Sequence, residues 1–111
     1  MKPTIEYPDF DKLDFRVGKV VAAATPDWSE KLLQLTVVFG EEIGELTILA
    51  GVKEWYAPED FIGNQYIFIV NLAERKMGQG VSQGMMLMAD EAGKAVPIPV
   101  VATVDPGTTV R

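Results

Sequence analysis

The sequence predicts an all-β fold: a five-stranded Greek-key barrel of the OB-fold type, with a short helix between strands three and four and a C-terminal extension. Five apolar segments recur along the chain, and turn-forming residues separate them. Only one stretch has helical character, and it follows the third segment, which is the element order of an OB-fold. The 111 residues, of which 48% are hydrophobic, suit a single domain that spans 1–111.

The five strands are predicted where apolar residues alternate or run together. Their ranges are 15–21, 31–39, 45–50, 65–70 and 82–89. In the first strand, Val17, Lys19 and Val21 are expected on one side, and Gly18 suggests a bulge or a sharp bend. Turn-forming residues predict the connections at 25–30, 40–44 and 90–93.

The helical stretch lies within 52–63. Pro58 suits a first helical position, and the acidic Asp60 favours the positive end of the helix dipole. Ala57 is a poor N-cap because it has no side-chain oxygen, so we expect only one or two turns.

The C-terminal extension contains two prolines, Pro97 and Pro99, among apolar residues. Because proline has no N–H for a strand ladder, 96–101 is predicted as an edge strand or an extended surface segment. Ile98 and Val101 would leave an apolar strip exposed there, which favours a homodimer.

The composition removes most catalytic chemistry. The chain has no Cys and no His, which excludes disulfides, thiolate zinc sites, Ser-His or Cys-His nucleophiles and imidazole acid–base catalysis. The acidic residues Glu41, Glu42 and Glu45 fit a charged hairpin tip better than a site for a hard metal ion. We therefore expect a protein that is not an enzyme and that needs no cofactor or metal.

The charge distribution is more informative than its sum. A net charge of −6 argues against indiscriminate nucleic-acid binding. Six cations can still give an acidic protein a basic face if the fold gathers them: Arg16, Lys19, Lys31, Lys53, Arg75 and Lys76. The apolar runs are shorter than the roughly 20 residues that cross a bilayer, and the N-terminus has no secretory signal. We expect a cytoplasmic protein without membrane contact.

The stretch 71–85 is the best candidate for a binding site. An apolar strand ends there, Arg75 and Lys76 follow, and glycines lead to Ser82 and the next apolar segment. Loops held by a sheet often carry binding residues, and glycine lets the backbone approach a ligand closely. Arginine supplies a planar fork and lysine a point charge for phosphates. The sequence therefore predicts a basic binding loop between the fourth and fifth strands.

Several groups of residues resemble motifs of the tRNA-binding OB-domain family. They are Asp14-Phe15-Arg16-Val17-Gly18-Lys19-Val20, Glu30-Lys31-Leu32, Gly51 with Tyr56-Ala57-Pro58-Glu59, Asn71-Leu72-Ala73 with Arg75-Lys76-Met77, and Ser82-Gln83-Gly84-Met85. The family includes the C-terminal domain of bacterial methionyl-tRNA synthetase, free-standing structure-specific tRNA-binding proteins and the chaperone CsaA. The resemblance covers residues 9–110.

This resemblance implies a homodimer that recognises the shape of tRNA without catalysing a reaction. The positions that contact RNA in the family correspond here to Lys31, Lys53, Asn71, Arg75, Lys76, Ser82 and Met85. Because the chain begins close to the first motif, we expect a free-standing protein or a separate auxiliary chain of an aminoacyl-tRNA synthetase, most simply the methionyl enzyme. Two residues differ from the usual family pattern: Trp28 stands in a polar loop, and Glu74 precedes the Arg-Lys pair.

Each of these residues also has a plainer interpretation. Arg75 and Lys76 can be an ordinary solvated pair, and Asn71 and Ser82 can tie the loop to its own backbone. Met85, judged alone, is more typical of a core because apolar residues follow it.

A second function remains open from the sequence. A CsaA-like chaperone would bind unfolded preproteins in an apolar groove between subunits. The acidic net charge and the apolar run 96–104 favour it, whereas the motifs at 71–73 and 82–85 favour tRNA binding.

Overall fold

A computed structural model describes residues 1–111 and shows a nearly closed β-barrel. Its main sheet is antiparallel and consists of β1 (Phe15–Ala24), β2 (Leu33–Val38), β3 (Glu45–Ala50), β4 (Gln65–Ile69) and β7 (Met85–Met86), with the short β10 (Thr109–Val110) paired to β1. The order across the sheet is β3-β2-β1-β4-β7. A 3-10 helix at Pro58–Asp60 lies between β3 and β4. The predicted all-β barrel of the OB type is therefore confirmed.

The other elements are short. They are α1 (Tyr7–Asp11), the hairpin of β5 (Arg75–Met77) and β6 (Gly80–Ser82), and the hairpin of β8 (Met88–Glu91) and β9 (Lys94–Pro97). The sequence did not predict α1 or β10, because each is too short to show a period; β10 forms only by pairing with the start of β1. No helix is long and apolar enough to cross a membrane.

The barrel core follows the alternation in β2. Leu33, Leu35 and Val37 are buried there, and the residues between them are partly exposed. Phe39 and Phe68 meet edge to face inside the barrel, with ring centroids 5.3 Å apart. Aromatic pairs in this arrangement contribute beyond their buried area. The core thus holds β1 to β4 rigidly and gives the shorter elements a support.

In β1, Val17, Gly18 and Val20 are buried, and Lys19 and Val21 are exposed. The side predicted to hold Val17, Lys19 and Val21 is therefore buried only at Val17. The register with β2 shifts between Val20 and Ala22, so the bulge lies after Gly18 and not at it. A Cβ on Gly18 would lie 2.6 Å from the Phe39 ring. Glycine is needed at this position for close packing, not for a bend.

The predicted fifth strand, 82–89, is also interrupted. It comprises the end of β6, all of β7 and the start of β8. Gly84 causes one interruption by packing on the β4 backbone, where a Cβ would lie 2.7 Å from the carbonyl oxygen of Ile69. Periodicity does not reveal this break, because it depends on a contact with β4, which lies fifteen residues earlier in the chain.

The C-terminal segment crosses the outside of the barrel in extended form, as predicted. The Gln65 side chain accepts a hydrogen bond from Val104 N–H and donates one to the Val104 carbonyl, at 3.1 and 2.6 Å. Its backbone carbonyl accepts a further bond from Val100 N–H. Ile98 is about half exposed and Val101 fully exposed, so the apolar strip expected there is present.

Candidate nucleic-acid interface

The basic segment is a β-hairpin and not the predicted loop. β5 and β6 pair Arg75 with Ser82, Lys76 with Val81 and Met77 with Gly80. The turn needs Gly78, whose φ of 63° is favourable for glycine and costly for most other residues. The two cations therefore have fixed strand positions.

The strand pleat separates the two cations. Neighbouring strand residues point to opposite faces, and directly paired residues share a face. Arg75 therefore shares a face with Ser82, which is buried against the barrel, whereas Lys76 shares the outer face with the exposed Val81. Both cations are exposed, and they emerge from the two sides of the ribbon.

The base of the hairpin closes the barrel. Ser82 is only 4% exposed; its hydroxyl accepts a bond from Leu49 N–H at 3.0 Å and donates to the Gly84 carbonyl at 2.8 Å. The Gln83 side chain accepts from Thr47 N–H, and its own N–H donates to the Thr47 carbonyl, both at 2.8 Å. These bonds satisfy the edge of β3 where a regular strand pairing is missing. Ser82 and Gln83 therefore act as supports beneath the basic hairpin.

Asn71 has a similar structural role at the start of the segment. Its side-chain oxygen accepts a bond from Asp14 N–H at 2.8 Å, and its amide nitrogen donates to the Lys12 carbonyl at 2.7 Å. The connection after β4 is thereby tied to the residues that precede β1. This is the backbone-tying role that the residue type allowed, and the exposed part of Asn71 remains open to solvent.

Lys31 and Lys53 form a second cationic position. Lys53 N–H donates to the Lys31 carbonyl at 3.2 Å, and Lys53 Nζ lies 3.3 Å from the Ser29 carbonyl oxygen. The Ser29 hydroxyl accepts bonds from the N–H groups of Lys31 and Leu32. Lys31 is exposed and Lys53 partly exposed, so both present positive charge where the 26–32 turn meets the connection that follows β3.

The turn that carries these lysines contacts the hairpin. The indole of Trp28, the residue before Ser29, is only partly exposed and lies against the two hairpin glycines. A Cβ on Gly78 would lie 2.6 Å from the ring, and one on Gly80 would lie 2.9 Å from it. Trp28 is thus a packing residue, although the loop in which it stands is polar.

The structure does not gather all six predicted cations. Arg16, 15% exposed, donates to Asp14 at 2.7 Å and to Glu42 at 2.8 Å. Its hydrogen bonds to Asp14, and next those to Glu42, raise the pKa of Arg16. Lys19 lies in a separate groove beside 63–65 and 103–106. The five predicted cations other than Arg16 have no carboxylate partner within 4.0 Å, and four of these five lie at two touching positions: Lys31, Lys53, Arg75 and Lys76.

One sequence interpretation changes for the apolar residues nearby. Met85 is 44% exposed, and the neighbouring Met86 is the core residue, so the core interpretation of Met85 is wrong. Tyr56 packs on Phe61 with centroids 5.7 Å apart, which makes it part of the barrel end. The supporting roles of Trp28 and Gln83 were not predicted from the sequence. Of these two residues, only Gln83 had a signal in the sequence, because it stands beside Ser82 in a family motif.

Comparisons with known proteins identify a family and similar folds. The family model described as "Putative tRNA binding domain" matches residues 15–109. A MetRS-related protein from Pyrococcus horikoshii has 36% identity and a TM-score of 0.91, with 99% of this chain and 100% of that chain covered. The chaperone CsaA from Bacillus anthracis has 28% identity and a TM-score of 0.87, with 98% and 100% covered.

A CsaA chaperone from Picrophilus torridus shares the fold as well, with 24% identity, a TM-score of 0.88 and coverage of 97% and 100%. The family model spans most of the chain, from the start of β1 to the start of β10. The chain therefore belongs to the tRNA-binding domain family.

Proposed function

We propose that the chain is a non-catalytic, cytoplasmic tRNA-binding module that holds the phosphate backbone of folded tRNA at the two touching cationic positions. The observation that carries the proposal is that four exposed or partly exposed cations without carboxylate partners lie at two positions that touch through Trp28, in a chain of net charge −6. So few cations suit recognition of RNA shape and backbone rather than of a sequence.

In this proposal the two pairs of cations contact different parts of the RNA backbone. Arg75 and Lys76 meet phosphates from the two faces of the hairpin, and Lys31 and Lys53 extend the contact across the adjoining turn. Met85 and the exposed part of Asn71 border the hairpin and complete the RNA-facing surface. Ser82 contributes by fixing the hairpin base, because its hydroxyl is buried and already bonded.

Fluorescence anisotropy with bulk tRNA at 50 and 200 mM salt tests the proposal. Four phosphate contacts predict that affinity falls roughly 50- to 150-fold between the two salt concentrations. The Arg75→Ala/Lys76→Ala variant should bind more weakly and lose about half of that salt dependence. The matched control, Lys2→Ala/Lys19→Ala, removes the same net charge elsewhere and should bind like the wild type.

Competition with other RNAs tests the shape component. Folded tRNA should displace the probe more effectively than an RNA duplex or a single strand of equal phosphate content. Equal competition by all three RNAs would overturn the recognition of tRNA shape and leave only general phosphate binding. The absence of tRNA binding at 50 mM salt would overturn the whole proposal.

We further propose that the protein acts as a homodimer and as an auxiliary partner of methionyl-tRNA synthetase. The exposed Ile98 and Val101 support the dimer, because an apolar strip on an extended edge is stabilised when a second copy covers it. Similarity to a MetRS-related protein supports the synthetase partner. Sedimentation should show a dimer that Val101→Glu dissociates, and purified synthetase should cosediment with the wild type.

A chaperone function is the second candidate, and the same exposed apolar segment favours it together with the similarity to CsaA. In this case the protein would suppress the aggregation of an unfolded preprotein. Val101→Glu should then weaken the suppression, and Arg75→Ala/Lys76→Ala should leave it unchanged. The reverse pattern would exclude this candidate.

A further inference from the structure

The hairpin that carries Arg75 and Lys76 is too small to be rigid without support. It has three residue pairs, and an isolated two-stranded hairpin is only marginally stable in water. Ser82 anchors its base to β3, but the turn at Gly78 lies at the far end of the ribbon. The tip therefore needs a packing partner to keep a fixed position.

Trp28 supplies that partner. Its ring atoms would lie 2.6 Å from a Cβ on Gly78 and 2.9 Å from one on Gly80, so the indole rests directly on the backbone of the tip. Leu49 is the next side chain there, at 3.0 Å from the same position on Gly80. The indole therefore fits against this backbone only because both residues are glycine, since any side chain there would displace the ring.

The same tryptophan belongs to the turn that positions the other cations. Pro26 and Ser29 close this turn through the Ser29 N–H to Pro26 carbonyl bond of 3.2 Å. Ser29 in turn contacts the Lys31 N–H and the Lys53 ammonium. Trp28 is therefore the side chain through which one cationic position touches the other.

We propose that Trp28 is a positioning residue that docks the β5–β6 hairpin on the 26–32 turn and so fixes the distance between the Arg75–Lys76 and Lys31–Lys53 cations. A rigid spacing lets all four cations meet one RNA backbone without an ordering cost at binding. The link to RNA rests on the proposed function, whereas the docking of the hairpin does not.

Limited trypsin digestion of the RNA-free protein tests the docking. Trypsin cleaves after Arg75 and Lys76, and a docked hairpin resists it. Trp28→Ala should speed cleavage at these bonds at least about tenfold, because proteolysis follows the population of the open form. Trp28→Phe, which keeps an aromatic ring, should restore most of the resistance. Trp55→Phe is the control and should digest like the wild type.

A second pair of variants keeps Trp28, so that the docking can still be tested if the Trp28→Ala protein does not fold. Gly80→Ala places a methyl group against the indole and should also speed cleavage. Gly51→Ala is its control, since no atom lies within 4 Å of the added Cβ and the residue has no positive φ. Unchanged cleavage in both Trp28→Ala and Gly80→Ala would overturn the docking.

Titration with bulk tRNA tests the consequence for binding. Trp28→Ala should bind about five- to tenfold more weakly with a shallower salt dependence, and Trp28→Phe should recover the wild-type salt dependence. If the wild type binds tRNA and faster cleavage leaves affinity and salt dependence unchanged, the positioning role is overturned. If the wild type binds no tRNA but cleavage responds, the docking stands and the proposed function fails.

Discussion

Arg16 and Arg75 lie near the starts of β1 and β5, and their surroundings are opposite. Arg16 is mostly buried and donates to Asp14, Glu42 and the Gly107 carbonyl. Arg75 is exposed, has no carboxylate partner, and stands on a hairpin of three residue pairs. The first arginine joins three parts of the barrel wall, and the second has its donors available for a ligand.

The comparison shows why a count of cations is a poor guide to a binding surface. Both arginines lie in segments that resemble family motifs, and both belong to the basic face that the sequence allowed. The difference arises from two carboxylates: Asp14, two residues before Arg16, and Glu42, which the tip of the β2–β3 hairpin brings to Arg16 across 26 residues of sequence. A cation is available for RNA only where the fold leaves it without such a partner.

The test with the largest expected effect replaces Arg16 and Arg75 by alanine, each in its own variant. Arg16→Ala should lower the free energy of unfolding by about 1.5–3 kcal/mol, because it removes several charge-assisted hydrogen bonds, and should leave tRNA affinity unchanged. Arg75→Ala should change stability by less than about 0.5 kcal/mol and weaken tRNA binding about five- to twentyfold. Urea unfolding and anisotropy titrations measure the two effects, and the comparison fails if both variants lose mainly stability.

Within the β5–β6 hairpin, Ser82 at the base has a structural role like that of Arg16, whereas Arg75 and Lys76 are open to a ligand. Ser82→Ala leaves the buried Leu49 N–H without an acceptor, which should cost about 1–2 kcal/mol of unfolding free energy. Thr103→Ala, an exposed hydroxyl at a distant site, is the control and should be near neutral. Loss of tRNA affinity with full stability in Ser82→Ala would instead assign the hydroxyl to RNA contact.

A smaller effect is expected from Glu74, the acidic neighbour of Arg75. Glu74→Gln keeps the side-chain shape and removes a negative charge that repels phosphate, so affinity should rise about two- to fourfold at 50 mM salt and less at 200 mM. Glu91→Gln makes the same change on the exposed β8 and should have no effect. An equal gain in both variants would show that only net charge matters.

The smallest expected effect is a pH dependence of stability that arises from Tyr66. Burial raises the pKa of Tyr66 above its ordinary value near 10, and a hydrogen bond from Asn64 opposes that rise. The unfolded chain therefore loses this proton first, so the stability that the neutral Tyr66 contributes is present below about pH 10 and is lost as the pH rises further.

Urea midpoints at pH 8 and pH 10.5 test this sign. Tyr66→Phe should lose less stability between the two pH values than the wild type does. The exposed Tyr7→Phe should keep the wild-type loss. An identical loss in all three proteins would contradict the assignment to Tyr66.

Much of the fold followed from the sequence because strong local patterns coincided with the observed elements. The third strand was predicted at the observed residues, and the 3-10 helix begins at Pro58. The Ala57 side chain makes no capping bond, and the Asp60 carboxylate accepts a hydrogen bond from Ala57 N–H. The residues of the cationic hairpin were found as well, although as a loop. Three residue pairs around a glycine turn carry too little periodicity to predict a ribbon.

What the sequence could not supply were the roles that depend on partners distant in the chain. Ser82 and Gln83 bond to β3, more than thirty residues earlier, and Asn71 bonds to residues that precede β1. Each side chain has donors and acceptors that fit RNA equally well. Only the positions of their partners show that these groups are already occupied.

The sequence by itself determined the all-β barrel, the family and the set of residues from which an RNA-binding surface can be built, because periodicity, turn residues and motifs are local. The tertiary structure alone decided which cations stay unpaired, which face of the hairpin each occupies, and that Trp28 packs on its tip. These outcomes depend on contacts between segments that the barrel brings together.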